Sequence, residues 1–207
     1  MRTKNILACL LLLFAAQAVS AQNNADAIIR VLVNQIKGHK NVEMVYNYQL
    51  STDGKNLGEA EKGHSWLQGE AYKIEMAEQQ TISDGKTIWS YLIDDEEVMV
   101  SNTSEGTDNT PLKLLTSLDK NYAANLTGID AQGFASIELA NPKGQYRRVT
   151  LRANTNKMEI TSMDIYLEDG TKLIVTVDEM KFDQKLDDKF FTFDVKKHPK
   201  VDVIDMR

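Results

Sequence analysis

The spacing of apolar residues changes from a helical period to a strand period near Gly38. Before this glycine, apolar residues recur three or four positions apart, which predicts a helix capped by Asn24 and ended by Gly38. The apolar face of this helix comprises Ile28, Ile29, Leu32, Val33 and Ile36. After the glycine, apolar residues occupy every second position, which predicts a strand with one apolar face. These residues are Met44, Tyr46, Tyr48 and Leu50.

Further strand-like segments follow, and turn signals such as Asp53-Gly54, Asp84-Gly85 and Asp169-Gly170 separate them. The predicted segments are 59–68, 72–76, 87–93, 98–102, 137–139, 147–153, 161–167, 172–182 and 190–195. Because the connections are short, consecutive strands should pair antiparallel. We therefore expect one sheet of about ten or eleven strands.

Helical signals are few in the rest of the chain. The polar stretch 103–109 predicts a flexible loop, and Thr110-Pro111 predicts the start of a second helix, since proline is tolerated at the first helical position. The apolar residues of this helix are Leu112, Leu114, Leu115 and Leu118. The pattern therefore predicts two or three helices in all.

A sheet of this size has to bury one apolar face of nearly every strand. Two or three short helices are too few to cover that face completely. We expect an α+β, mostly β fold: a curved, unclosed antiparallel β-barrel whose helices form a lid over an apolar cavity. The same strands could instead close into an ordinary packed barrel without a cavity.

The first 21 residues have the pattern of a secretory signal peptide. Arg2 and Lys4 precede an apolar run that is too short to span a bilayer, and Val19-Ser20-Ala21 is a small-residue cleavage site. Residues 22–207 would then form a single exported domain. Cys9 offers an alternative, in which it is acylated and the protein is a membrane-bound receptor. The apolar run continues beyond Cys9, and this argues against acylation.

Charge and cysteine content narrow the functional classes. The chain has 24 basic and 30 acidic residues, a net charge of −6, and the signal peptide holds two of the basic ones. Such an acidic domain is not expected to bind nucleic acid or to be attracted to anionic lipid surfaces. Cys9 is the only cysteine, so a chain cleaved after Ala21 has no disulfide, cysteine nucleophile or thiolate metal site. We expect a soluble monomer that is not membrane-integral.

The sequence contains no recognisable catalytic motif. His39, His64 and His198 have no second ligand at a zinc-binding spacing, and no serine lies in a G-x-S-x-G pattern. Acidic runs at 94–97 and 187–188 lie at predicted turns, where a solvated charge run is the common outcome. The glycines form no phosphate-binding pattern. We therefore expect a protein that is not an enzyme and that needs no metal or cofactor.

Large apolar side chains on the predicted strands are the best candidates for a binding surface, because aromatic rings and methionines adapt to apolar ligands. Taken singly, each also fits an ordinary core. Trp66 and Trp89 each have an apolar neighbour in the sequence, so the pattern does not decide which face of the sheet either tryptophan lies on. The candidate cavity residues are Met44, Tyr46, Tyr48, Trp66, Tyr72, Ile74, Met76, Trp89 and Tyr91 on the strands and Leu114, Leu115 and Leu118 on the lid.

Two segments resemble a known protein family. The segment T-I-S-D-G-K-T-I-W-S-Y at 81–91 is similar to the S-D-G-K-x-x-W-x-Y hairpin of the outer-membrane lipoprotein carrier proteins, the LolA family. The end of the chain, K-F-F-T-F-D at 189–194 through Pro199 to Arg207, resembles the closing strand of that family. The order of the predicted elements matches the family over essentially the whole of residues 22–207.

The resemblance implies an unclosed antiparallel barrel lidded by helices, and a periplasmic chaperone. Acylated lipoproteins would be its cargo, taken from an inner-membrane ABC transporter and passed to an acceptor at the outer membrane. The acyl chains of the cargo would lie in the apolar cavity.

One departure from the family lies after the tryptophan of the second strand. The family has W-x-K-R-P there, and its arginine is associated with lid closure. This chain has Gly69 and Glu70 in the place of Arg-Pro, so the arginine's role cannot be transferred. A sensor or anti-sigma regulator with the same half-barrel, acting through a protein partner, is the alternative function. An envelope hydrolase would need a convergent site that the sequence does not reveal.

Overall fold

A computed structural model describes residues 24–103, 110–144 and 146–207. The strands of this part of the chain form one twelve-stranded sheet. In chain order they are β1 (Val42–Ser51), β2 (Glu61–Gln68), β3 (Ala71–Glu75), β4 (Gln79–Ser83), β5 (Thr87–Leu92), β6 (Glu97–Asn102), β7 (Ala123–Ile129), β8 (Phe134–Ala140), β9 (Tyr146–Asn154), β10 (Glu159–Leu167), β11 (Lys172–Phe182) and β12 (Asp202–Asp205). Their order across the sheet is β12-β6-β5-β4-β3-β2-β1-β11-β10-β9-β8-β7.

Pairing in the sheet is antiparallel except at one edge. Short turns join most consecutive strands and favour antiparallel neighbours, as the sequence predicts. Strand β1 links the two runs of strands, because it pairs with β2 on one side and β11 on the other. At the edge, β12 runs parallel to β6, with Asp202 opposite Glu97 and Asp205 opposite Val100. The edge strands β12 and β7 do not pair, so the curved sheet is an unclosed barrel.

Helix α1 (residues 24–37) has the apolar face that its spacing predicts. Ile29, Leu32, Val33 and Ile36 are buried. The backbone N–H of Gly38 donates a 2.8 Å hydrogen bond to the carbonyl oxygen of Asn34, and the helix ends at this glycine as expected. Asn24 is already helical and is therefore not the capping residue that the sequence predicts.

Two short helices follow β6, α2 (Pro111–Leu115) and α3 (Leu118–Asn121). The Oγ1 of Thr110 accepts a 3.0 Å hydrogen bond from the backbone N–H of Lys113, which fixes the predicted start of α2. The buried leucines of both helices, Leu112, Leu114, Leu115 and Leu118, face the main core.

The helices cover one face of the sheet, which we call the inner face. In the cross-strand register, Met163 of β10 pairs with Leu151 of β9, which pairs with Ile137 of β8, and all three are fully buried. The same cluster extends over β1 to β3 and β7 to β11 and includes α1, α2 and α3. The inner face is therefore the main hydrophobic core.

The opposite face of the sheet, which we call the outer face, is charged over some strands and apolar over others. Over β10 and β11 it is charged, and Lys172 lies 2.8 Å from Asp164. Over β4 to β6 it is apolar, because Ile82 and Val98 are buried there beneath Phe193. Phe193 belongs to the C-terminal segment, by which we mean residues 185–201.

The strand predictions differ from the structure in four places. The four-residue strand β12 was not among the predicted segments. Strands β4 and β7 were not among the predicted segments, because each contains too few large apolar residues to produce a clear alternation. The strand predicted over 190–195 is wrong, since this region consists of turns and the start of a 3-10 helix (Val195–Lys197). Phe191 and Phe193 of this region are buried without strand pairing.

Two predicted features lie outside the described residues. One is the signal peptide at 1–21, including Cys9. The other is the polar loop predicted over 103–109, of which only Thr103 is described. Among the described residues, no helix combines the length and the apolar character needed to cross a membrane.

Candidate functional site

Tyr46 lies at the centre of the inner face, on β1. Its cross-strand partner on β2 is Gly63, and the tyrosine ring lies directly over this glycine. A Cβ at position 63 would come within 2.3 Å of the ring, so the close approach requires glycine. The Oγ of Ser65 donates a 3.1 Å hydrogen bond to the Tyr46 hydroxyl. Burial raises the pKa of Tyr46, and the side chain is therefore neutral.

Tyr48 adds a polar group to the same face, two residues further along β1. Its hydroxyl donates a 2.5 Å hydrogen bond to the carboxylate of Glu61 on β2. Burial, reinforced by this bond and by the negative charge of Glu61, raises the pKa of Tyr48 to about 12. The phenol is thus a hydrogen-bond donor at neutral pH, at the margin of an otherwise apolar surface.

A cleft of about 340 Å³ lies between α1 and strands β10 and β11. Leu32 and Ile36 of the helix form one wall. Acidic side chains, Glu159, Asp178 and Glu179, also line it. Apolar residues of β10, of β11 and of the turn before β10 also line it: Met158, Ile160, Val177, Met180 and Phe182.

A second cleft, of about 390 Å³, lies on the other side of α1, next to β2 and α2. Ile36 lines both clefts, so the C-terminal half of α1 separates them. Basic residues dominate the charge of this one: Lys37, Lys40 and Lys113 line it together with Glu70. Both volumes are at the lower end of the range of about 300–1,000 Å³ typical of ligand sites.

Two ion pairs connect the covering helices to their surroundings. The Nζ of Lys113 on α2 lies 3.3 Å from a carboxylate oxygen of Glu70, in the turn between β2 and β3, and 5.7 Å from the centre of the Tyr72 ring. The Nζ of Lys37 on α1 lies 3.2 Å from Asp119 on α3. Glu70 follows Gly69, which stands in the place of the family's arginine, and Glu70 itself stands in the place of the proline. Here a carboxylate makes the contact to the helix.

The inner face contains most of the residues predicted to line a cavity. Met44, Tyr46, Tyr48 and Tyr72 belong to its buried cluster, together with the three lid leucines Leu114, Leu115 and Leu118. Ile74 and Met76 are partly buried and pack against it. The helical side chains occupy much of the space that these residues enclose, and the two clefts border α1.

Three of the predicted cavity residues face the other way, and the expectation for Trp66, Trp89 and Tyr91 is corrected. Trp66 pairs with Lys73 across β2 and β3, while its neighbour Leu67 takes the inner position. Its indole contacts the ring of Phe190 at 5.3 Å between centroids. Trp89 and Tyr91 pack into the small outer cluster with Ile82. The C-terminal segment covers these rings, which is why they are on the outer side.

Sequence reasoning missed the residues of β11 that line the first cleft. Val175 and Val177 pair with Tyr48 and Tyr46 of β1, and a bulge then shifts the register, so that Met180 pairs with Met44. Leu173, Val175 and Val177 alternate, which indicates an apolar face. The bulge adds one residue after Val177, so even-numbered Met180, and not an odd-numbered residue, lies on that face. Pairing of β1 with β11 was not predictable from local pattern.

The inner face offers apolar contact and a few neutral hydroxyl groups. Burial also raises the pKa of Tyr122 and Tyr146, so these phenols are neutral as well. Within the part of the chain that the structure describes, no cluster of His, Cys, Asp and Glu side chains has a geometry that would hold a metal ion. The chemistry available on this face is therefore the burial of apolar ligand surface.

The fold, one large unclosed curved sheet with few helices, is LolA-like. The family model described as Outer membrane lipoprotein carrier protein LolA matches residues 72–194, which is more than half of the chain. The chain therefore belongs to the LolA family. No curated protein matches it.

Several solved structures are similar to this chain at low sequence identity. An uncharacterized conserved protein from Thermus thermophilus is 13% identical, with 86% of this chain and 96% of that chain covered and a TM-score of 0.54. A LolA superfamily protein from Nitrosomonas europaea is 14% identical, with 83% and 98% covered and a TM-score of 0.43. The MucA/MucB complex of Pseudomonas aeruginosa is 12% identical, with 84% and 62% covered and a TM-score of 0.39. Only the first score exceeds 0.5.

Proposed function

We propose that the protein is a periplasmic carrier that binds the acyl chains of lipoproteins against the inner face of its sheet and moves them from the inner to the outer membrane. The observation that supports this most is the construction of the inner face. One continuous apolar cluster spans eight strands, and its cover consists of α1 and two helices of five and four residues. Helices this short depend on tertiary contacts for stability, so a ligand can displace them.

The energetics of such a site suit uptake followed by release. Each buried methylene contributes about 0.8 kcal/mol, so a chain of about fifteen methylenes gains roughly 12 kcal/mol before costs. Displacing the leucines of α2 and α3 from the inner face opposes part of this gain. The helices therefore lower the affinity to a level at which cargo can be transferred.

The partners and the location belong to the same proposal. The family description names a lipoprotein carrier, which supports acylated lipoproteins as cargo. An inner-membrane ABC transporter as donor and an outer-membrane acceptor follow from that role, and the signal-peptide pattern at 1–21 would deliver the chain to the periplasm. The proposed protein acts by binding and has no catalytic step.

Native mass spectrometry of the protein purified from its own cell envelope tests the proposal directly. We expect a population carrying acylated lipoprotein, and we expect purified protein to bind dansylundecanoic acid saturably. Enzymatic deacylation of the lipoprotein should abolish its binding. Co-purification of one membrane protein, independent of acyl groups, would instead support the sensor or anti-sigma regulator.

A matched pair of variants locates the acyl site. Val177 lines the cleft beside α1, whereas Ile174, three residues earlier on β11, lies on the outer face opposite Asp164. Val177→Phe should fill the cleft and weaken dansylundecanoic acid binding about tenfold, the loss expected when roughly two methylenes are no longer buried. Ile174→Phe should leave binding unchanged. Equal affinities in the two variants would place the ligand elsewhere.

A further inference from the structure

The outer face contains a cleft that the proposed carrier function does not use. The C-terminal segment crosses β3, β4 and β5 and encloses a space of about 650 Å³ beneath it. Ile82 and Tyr91 of the sheet form its floor, and Phe190 and Phe193 of the segment form its wall. The space is larger than either inner cleft and lies within the usual range for ligand sites.

Aromatic contacts hold the segment over this space. The ring of Phe193 lies 5.3 Å from Tyr91 and stacks on His198 at 4.8 Å with an interplanar angle of 17°. The ring of Phe190 meets Trp66 edge to face at 5.3 Å. These anchors sit at the two ends of the segment's crossing, and the cleft lies between them. The cleft therefore has aromatic walls that are held in place by ring contacts.

Lysine ammonium groups supply the positive charge of the cleft. Lys189 and Lys197 line it, and neither forms an ion pair with any described residue. Lys73 also lines it, but it pairs with Glu75 at 2.8 Å. Two carboxylates are present as well, and each already accepts a backbone N–H, Asp187 from residue 189 at 2.8 Å and Asp194 from residue 196 at 3.1 Å.

The charge of this region contrasts with that of the chain. The C-terminal segment has five lysines and three aspartates, whereas the whole chain has a net charge of −6. A basic segment over an apolar floor is complementary to a molecule with an apolar body and an anionic head. The ammonium groups of Lys189 and Lys197, which form no ion pair with a described residue, can bind the anionic head.

We propose that this outer cleft is a second ligand site and that it takes a single-chain anionic amphiphile of the fatty-acid type. The hydrocarbon chain lies on Ile82 and Tyr91 between the two phenylalanine rings, and the carboxylate lies between Lys189 and Lys197. The sheet separates this site from the inner face. The site therefore works independently of whether the inner face binds acyl chains.

The positions of the tryptophans provide a selective readout. The chain has two tryptophans, and both belong to the outer face. Trp66 contacts Phe190 in the cleft wall, and Trp89 pairs with Ile82 in its floor. Bromine quenches indole fluorescence only at short range, so a dibrominated stearic acid bound in the outer cleft should quench both. The same probe on the inner face should bind with little quenching.

The experiment combines this quenching with isothermal titration calorimetry of the purified protein. We expect saturable quenching by the dibrominated acid and clearly weaker quenching by the corresponding uncharged alcohol. Changing Lys189→Gln and Lys197→Gln together should weaken the quenching isotherm of the acid about fivefold and leave that of the alcohol unchanged. The control pair Lys143→Gln and Lys185→Gln lies outside the cleft lining and should behave as the parent protein.

Two results would overturn the inference. Calorimetric binding of the acid without tryptophan quenching would mean that the ligand occupies the inner face only, which leaves the carrier proposal intact. Equal isotherms for the two lysine pairs would mean that the outer cleft does not recognise the anionic head. Quenching without any effect of Val177→Phe on dansylundecanoic acid binding would confirm the outer site while removing support for the inner one.

Discussion

The two halves of the sheet have their apolar clusters on opposite faces. In the helix-covered half, β1 to β3 with β7 to β11, the inner face is apolar and the helices pack on it. In the segment-covered half, β4 to β6 with β12, the apolar cluster lies on the outer face under the C-terminal segment. The change occurs between β3 and β4, where Tyr72 is buried inward and Ile82 is buried outward. One sheet therefore supports two separate cores.

The two cores differ in how completely they are covered. In the helix-covered half, side chains such as Ile137, Leu139 and Leu151 are fully buried by neighbouring strands and helices. In the segment-covered half, the buried cluster is small, and a cleft of about 650 Å³ adjoins it. We infer that the first half supplies most of the stability, whereas the second half can be altered with less effect on folding.

The largest expected effect compares the same substitution in the two cores. Ile137→Ala leaves a cavity in the densely packed helix-covered half and should lower the free energy of unfolding by about 4 kcal/mol. Ile82→Ala, beside the outer cleft, should cost about 2 kcal/mol, because the site already borders open space. Urea denaturation of both variants measures the difference. Equal costs would show that the two cores are packed equally well.

The next effect tests how closely the helix-covered half is packed at its centre. Gly63→Ala places a methyl group against the buried ring of Tyr46 and should destabilise by about 2 kcal/mol. Gly128→Ala on edge strand β7 is the control, since no heavy atom lies within 4 Å of its added Cβ, and it should change stability by less than about 0.5 kcal/mol. A tolerated Gly63→Ala would mean that the Tyr46 ring can move aside.

A smaller effect concerns how easily helix α2 moves away from the inner face when a ligand binds. Lys113→Ala removes the contact of α2 with Glu70 and should change stability by less than about 1 kcal/mol, because Glu70 is largely exposed. If the helices must move for acyl uptake, the same change should speed dansylundecanoic acid binding about threefold in stopped-flow measurements. Lys120→Ala on α3 is the control. Identical binding rates in both variants would show that the contact between Lys113 and Glu70 does not slow the movement of α2.

The helix-covered half was largely predictable from sequence because its signals are local. Residues 44, 46 and 48 alternate, and all face inward as predicted. The helical spacing from Ile29 to Ile36 likewise places α1 on the same core. The long strand β11, which is rich in residues that favour strands, has the predicted bounds, Lys172–Phe182. Side chains return to the same face every two residues in a strand and every 3.6 residues in a helix, so the spacing of apolar residues alone reveals which element forms.

The segment-covered half could not be predicted in the same way. In β5, Ile88 and Trp89 are both apolar, and only the distant C-terminal segment decides that Trp89 faces outward. Strand β12 pairs with β6 across about a hundred residues of sequence. Hence the outer cleft and the corrected facing of Tyr91 follow from tertiary contacts that no local pattern contains.

The smallest expected effect is a pH dependence of strand β12, at the edge of the segment-covered half. At the end of β12, hydrogen bonds from the side chain and backbone N–H of Arg207 lower the pKa of Asp205 to about 2. Since the ordinary value is 3.8, this contact stabilises fully above about pH 4 and is lost as the pH falls towards 2. The protection of β12 amides against exchange, taken relative to the intrinsic exchange rate at each pH, should therefore fall over that interval before that of β9 does.

Arg207→Gln separates this contact from general acid unfolding. In the variant, the pKa of Asp205, followed by its side-chain carbon resonance in NMR, should return towards 3.8, and β12 should lose its acid-dependent change in exchange. Strand β9, which is held in the centre of the helix-covered half, should be unaffected. If β9 and β12 open together in both proteins, the two halves unfold as one unit, and the difference in packing between them has no counterpart in local stability.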